Sequence, residues 1–73
     1  MDEIKTLLTE KGFTHFQNSG SPGKIFFKKD NQIIYICFQC RFIQLKIDNI
    51  LKHQARFTQN PILVFKEFIK KYI

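Results

Sequence analysis

The stretch Lys24-Ile25-Phe26-Phe27-Lys28-Lys29-Asp30-Asn31-Gln32-Ile33-Ile34-Tyr35-Ile36-Cys37-Phe38 decides how this chain is read. Its first six and last seven residues are rich in the aromatic and β-branched side chains that suit a pleated sheet, and Asp30-Asn31 between them tolerates the left-handed backbone of a two-residue hairpin turn. The stretch therefore predicts two antiparallel strands. In the second, both faces are apolar, with Ile33, Tyr35 and Cys37 on one and Ile34, Ile36 and Phe38 on the other, which marks a central strand.

Before this hairpin, Ile4, Leu7 and Leu8 lie at helical spacing within residues 2–11, and Asp2 and Glu3 sit where the helix dipole favours negative charge. Gly12 suits a C′ position with φ > 0, and Phe13 can fold back over the last turn in a Schellman arrangement. Residues 13–17 read as a short strand, and Asn18-Ser19-Gly20-Ser21-Pro22-Gly23 as loop. After the hairpin, residues 39–45 are ambiguous between strand and helix, whereas Ile47, Ile50, Leu51 and Gln54 follow helical spacing to about Ala55. Asn60-Pro61 restarts a helix, with Asn as cap and Pro at the first position. Its apolar stripe is Ile62, Phe65, Phe68, Ile69 and Tyr72, with Lys66, Lys70 and Lys71 off it. The expectation is a single α+β domain over residues 1–73: a helix, a three-stranded antiparallel sheet, then two helices, α-β-β-β-α-α.

Seventy-three residues leave no room for separate catalytic and recognition domains. The formal charge is +6, with a sequence pI near 9.6. Residues 1–30 carry five basic and four acidic side chains and residues 31–73 seven and two, so +5 of that charge lies in the C-terminal part. Such an imbalance favours a phosphate-bearing partner. No apolar run approaches the roughly 20 residues that span a bilayer, the acidic start is unlike a signal peptide, and two cysteines make no secreted disulfide framework. A cytoplasmic protein with no membrane partner is expected.

Basic and aromatic residues interleave in the first hairpin strand and again in Arg41-Phe42. Lys24, Phe26 and Lys28 share one face, where Phe26 can stack a base while the lysines take phosphates. The phosphate-contacting set expected from the whole sequence is Lys24, Lys28, Lys29, Arg41, Lys46, Lys52 and Arg56, and backbone amides of residues 19–23 offer an anion-binding nest. A half-buried strand with solvated lysines would carry the same pattern.

Cys37 and Cys40 have the spacing of half a zinc site, but only His15 and His53 are left to complete it. Cys37 reads instead as a small buried hydrophobe, and a redox role, which favours a helix N-terminus, is not suggested by the β-branched context. No metal and no cofactor is expected. His15 and His53 are not paired by spacing, and no catalytic motif is present, so no catalytic residue is assigned.

Three stretches resemble the HicA toxin family, small RNA-cleaving proteins with a double-stranded-RNA-binding-domain-like fold. They are the run from Ile4 to Phe13, the Gly20-Ser21 pair, and the run from Leu45 to Ala55. The resemblance implies an RNA-facing surface. It departs where the family places its catalytic His directly after the Gly-Ser pair, because this chain has Pro22 there, and in the additional helix from Pro61 to Ile73.

The leading expectation is a small, basic, non-catalytic nucleic-acid-binding module that prefers RNA slightly over DNA. The first alternative is a protein-interaction module, such as an accessory subunit or inhibitor carried by a phage or mobile element, which would expose Phe42, Phe57 or Phe68 or dock a partner on the C-terminal helix. The second is a metal-independent ribonuclease using His15 or His53.

Overall fold

In the computed structural model, which describes residues 2–16, 23–58 and 60–73, the chain forms a helix, five strands and a helix. In order these are α1 (Asp2–Glu10), β1 (Thr14–Phe16), β2 (Lys24–Lys29), β3 (Gln32–Cys37), β4 (Phe42–Ile47), β5 (Ile50–Arg56) and α2 (Pro61–Tyr72). The strands make one antiparallel sheet in the order β1-β2-β3-β4-β5, so each pairs with its neighbour in sequence and β3 lies in the middle.

The class remains α+β, but the three-stranded sheet and the helix expected over about residues 47–55 are corrected to a five-stranded sheet with a β4–β5 hairpin. Two local signals explain the difference. Phe42-Ile43-Gln44-Leu45-Lys46-Ile47 alternates with period two, which sends Ile43 and Leu45 into the core at 0% and 2% exposure. Asp48-Asn49 repeats the dipeptide of the first hairpin, with φ of 55° and 65° against 53° at Asp30. The helical spacing of Ile47, Ile50, Leu51 and Gln54 is coincidental: Ile50 and Leu51 are 58% and 48% exposed. A register shift between Leu45 and Lys46 pairs them with His53 and Leu51, leaving Lys52 as the extra, bulged residue.

The two hairpin turns also hold each other. The Asp48 amide donates to the Asn31 carbonyl at 3.0 Å, and Asn31 Nδ2 donates to Asp48 Oδ1 at 2.9 Å. Side-chain pairing of this kind fixes the relative position of β2–β3 and β4–β5 at one end of the sheet.

Both helices cover the same sheet face. Ile4 and Leu8 of α1 and Phe65, Phe68 and Ile69 of α2 are buried with Phe27, Ile34, Ile36, Ile43 and Leu45 in one apolar cluster. A two-layer arrangement results, in which one sheet face makes the core. Exposed Glu3 and Lys66 form a salt bridge between the helices, of the surface kind that contributes little.

The helix ends follow the local chemistry in part. At the end of α1, Phe13 N–H donates to the Leu8 carbonyl and Gly12 N–H to the Thr9 carbonyl, each at 3.0 Å, with Gly12 at φ 95°. This is the expected Schellman closure. A Cβ at Gly12 would also meet Lys29 Cε at 3.2 Å. Gly12→Ala is therefore expected to cost about 1–2 kcal/mol, read from the urea midpoint. At α2, Pro61 opens the helix as expected, but the Asn60 side chain makes no capping hydrogen bond, so the side-chain cap expected there does not form.

Candidate nucleic-acid interface

The sheet has two faces, and only one is covered by helices. Antiparallel register places Lys24, Phe26 and Lys28 of β2 on the other face, in rows with Cys37, Tyr35 and Ile33 of β3 and with Phe42, Gln44 and Lys46 of β4. From β5, Arg56 and Gln54 continue the first two rows beyond Phe42 and Gln44. Among the described residues, no helix or strand packs on this face.

Three half-buried aromatic rings run diagonally across it. Phe26 and Tyr35, directly opposed across β2–β3, stack with centroids 4.8 Å apart and planes 19° apart. The next ring, Phe42, meets Tyr35 edge-on at 5.6 Å. Burial, aided by the hydrogen bond to Cys37, pushes the Tyr35 hydroxyl up to about 12, so its ring stays neutral at any physiological pH. Beside the rings, Gln44 Nε2 donates to Gln54 Oε1 at 2.7 Å.

Basic groups flank this aromatic row on both sides. Lys24 and Arg56 lie at the β3–β4 turn end, Lys28 and Lys46 toward the Asp30 and Asp48 turns, and no Asp or Glu occurs on any strand. The face is thus positive with apolar rings at its centre. By contrast the groove between α1 and α2 mixes Glu3 and Glu10 with Lys66 and Lys70, so it offers no field of one sign.

The residues expected to contact phosphate separate into two groups. Lys24, Lys28, Lys46, Arg56 and the stacking candidate Phe26 share the open face. Lys29 falls on the opposite face, where its ammonium donates to the Lys11 carbonyl at 2.9 Å beside the end of α1. Arg41 lies in the β3–β4 turn at φ 59°, and Lys52 at the β5 bulge, both exposed at the margins of the sheet. Of the expected nest at residues 19–23, all but Gly23 falls outside the described residues. Sequence reasoning missed Tyr35 and Phe42 as members of the aromatic row. Tyr35 shares the i, i+2 face with Cys37, but Phe42 joins it only through the β4 pairing.

Both histidines lie on the helix-covered face and at opposite edges. His15 on β1 opposes Phe27, with rings 5.1 Å apart, while His53 on β5 stacks on Tyr72 of α2 at 3.8 Å. Three strands separate them, so the geometry gives no acid–base pair. Among the described residues, no three His, Cys, Asp or Glu side chains cluster as metal ligands.

The aromatic residues that would mark a protein-docking surface behave differently from one another. Phe57 and Phe68 are buried, at 6% and 3% exposure, in the cluster that also holds Phe65, and Phe42 is half-buried in the open-face row. On α2, Leu63 rather than a Phe is the exposed large apolar residue. No described helix is long and apolar enough to cross a membrane. Comparison of the chain with protein-family models, with curated proteins and with solved structures gave no match.

Proposed function

We propose that the open sheet face binds single-stranded nucleic acid, without cleaving it, and prefers RNA to DNA. The observation that carries this reading is the contiguous row Phe26, Tyr35 and Phe42 bordered by Lys24, Lys28, Lys46 and Arg56 on a face that no described helix covers. Bases of a single strand stack on the rings regardless of sequence, and the backbone phosphates run along the flanking cations. A duplex keeps its base faces hidden and would gain only the charge contacts. The preference for RNA rests on Gln44 and Gln54, whose amides beside the rings supply donors and acceptors suited to a 2′-hydroxyl.

An aromatic ladder that merely closes the back of a small sheet would contain the same ring contacts but would not respond to a ligand. Fluorescence anisotropy with labelled single-stranded RNA, single-stranded DNA and duplex RNA separates the two. Phe26→Ala is expected to weaken single-strand binding by about 1–3 kcal/mol, the contribution of one stacked base, and to leave the weaker duplex binding nearly unchanged. Equal losses for both ligands, or no binding near physiological salt, would refute the reading.

A further inference from the structure

Cys37 and Cys40 sit at the end of the open face, where the four-residue turn 38–41 joins β3 to β4. The spacing alone suggests little, but the turn organises the pair. Cys37 is fully buried, Cys40 is exposed, and the Cys40 amide donates to Cys37 Sγ at 3.3 Å. Both sides of the turn are tied down: Phe38 N–H donates to the Gly23 carbonyl at 2.9 Å, and Phe57 N–H to the Arg41 carbonyl at 3.0 Å. The turn therefore folds Cys40 back onto Cys37 at the end of β3, instead of leaving the two on opposite faces of an extended strand.

We propose that Cys37 and Cys40 form a thiol–disulfide exchange site that takes low-molecular-weight disulfides as its oxidant, with Cys40 as the entry sulfur and Cys37 as the resolving one. Exposure decides the order. Cys40 as thiolate attacks a disulfide RS–SR, forming a Cys40–S–SR bond and expelling RS⁻. Cys37 thiolate then attacks Cys40 Sγ, forming the Cys37–Cys40 bond and expelling the second RS⁻. The two thiol protons end on the two departing RS⁻ groups, so the dithiol is oxidised by two electrons and one RS–SR is reduced to two RSH.

The surroundings favour the resolving step and act in both directions on the entry step. Although burial opposes ionisation of Cys37, hydrogen bonds from the Cys40 amide and thiol, the Tyr35 hydroxyl and the Gln39 amide hold its thiol below the ordinary range. At Cys40, Cys37 and burial raise the thiol, while Lys24 and Arg56 act in the opposite direction by favouring the thiolate. Cys40 is thus the accessible but less acidic sulfur, and Cys37 the more acidic but shielded one. This assignment does not depend on nucleic-acid binding, because its test reads sulfur chemistry alone.

The whole chain is reduced, incubated with glutathione disulfide, quenched in acid and weighed by mass spectrometry. The parent protein is expected to lose two hydrogens and keep no adduct. Cys37→Ala is expected to stop at one glutathione adduct, and Cys40→Ala to react at least about tenfold more slowly than the parent. A parent protein that stays reduced, or that accumulates the adduct without closing the ring, overturns the proposal. So does a Cys40→Ala protein that reacts as fast as the parent, and since Cys40 is exposed, that variant is not compromised in folding.

Discussion

Replacing Lys24, Lys28, Lys46 and Arg56 together by Gln is expected to flatten the salt dependence of single-strand binding. Each phosphate neutralised by a single-strand binder contributes about −0.7 to the slope of log affinity against log salt, so four contacts give about −2.8. Between about 50 mM and 200 mM salt that slope corresponds to a loss of roughly 50-fold in affinity, which the substituted protein would no longer show. The effect is large because all four cations border one aromatic row and no carboxylate on the strands offsets them. Lys66, Lys70 and Lys71, which belong to α2 on the other side of the sheet, provide the control. Replacing those three leaves the slope unchanged if the open face is the interface, and an equal flattening would place the ligand on the helices instead.

The second large effect concerns the covered face. Phe65 has no exposed surface and meets Phe57 at 5.0 Å and Phe38 at 6.2 Å, each ring edge-on to it. Phe65→Ala is expected to cost about 3–5 kcal/mol, transfer and cavity terms together. A domain of this size has only roughly 4–11 kcal/mol of total stability, at about 0.05–0.15 kcal/mol per residue, so the variant loses a large share of it or fails to fold. Urea titration followed by far-ultraviolet circular dichroism measures this. Phe26→Ala, from the half-buried row on the other face, is expected to move the urea midpoint much less while weakening RNA binding. The two substitutions thus separate what holds the domain together from what the open face does, and a Phe26→Ala protein as unstable as Phe65→Ala would assign that row to the fold.

Some of this architecture was legible in local sequence. The first hairpin, the Schellman end of α1 at Gly12 and the Pro61 start of α2 each depend on residues adjacent in the chain, and each forms where its residues predict. The second hairpin was legible too, since Asp48-Asn49 has the same turn chemistry as Asp30-Asn31 and β4 alternates cleanly. It was obscured because β5 is an edge strand with one paired side, largely exposed, so its apolar residues need not alternate and Ile50 and Leu51 fall by chance at helical spacing. A β-bulge at Lys52 blurs the period further.

Composition and charge placement by themselves determined a small basic chain with most of its excess charge after residue 30, local periodicity determined that it mixes helix with strand, and the i, i+2 periodicity of β2 determined that Lys24, Phe26 and Lys28 share a face. Whether that face lies open was decided only by the tertiary structure, through the docking of both helices against Phe27, Ile34 and Ile36 on the opposite side. The same is true of Phe42, Lys46 and Arg56, which reach the row by strand pairing across the sheet, and of the thiols, which a turn rather than a strand brings together. The reason is physical: side-chain periodicity is a property of one strand, whereas a binding face is a sum over strands whose register is set by turns and by the burial of the other side.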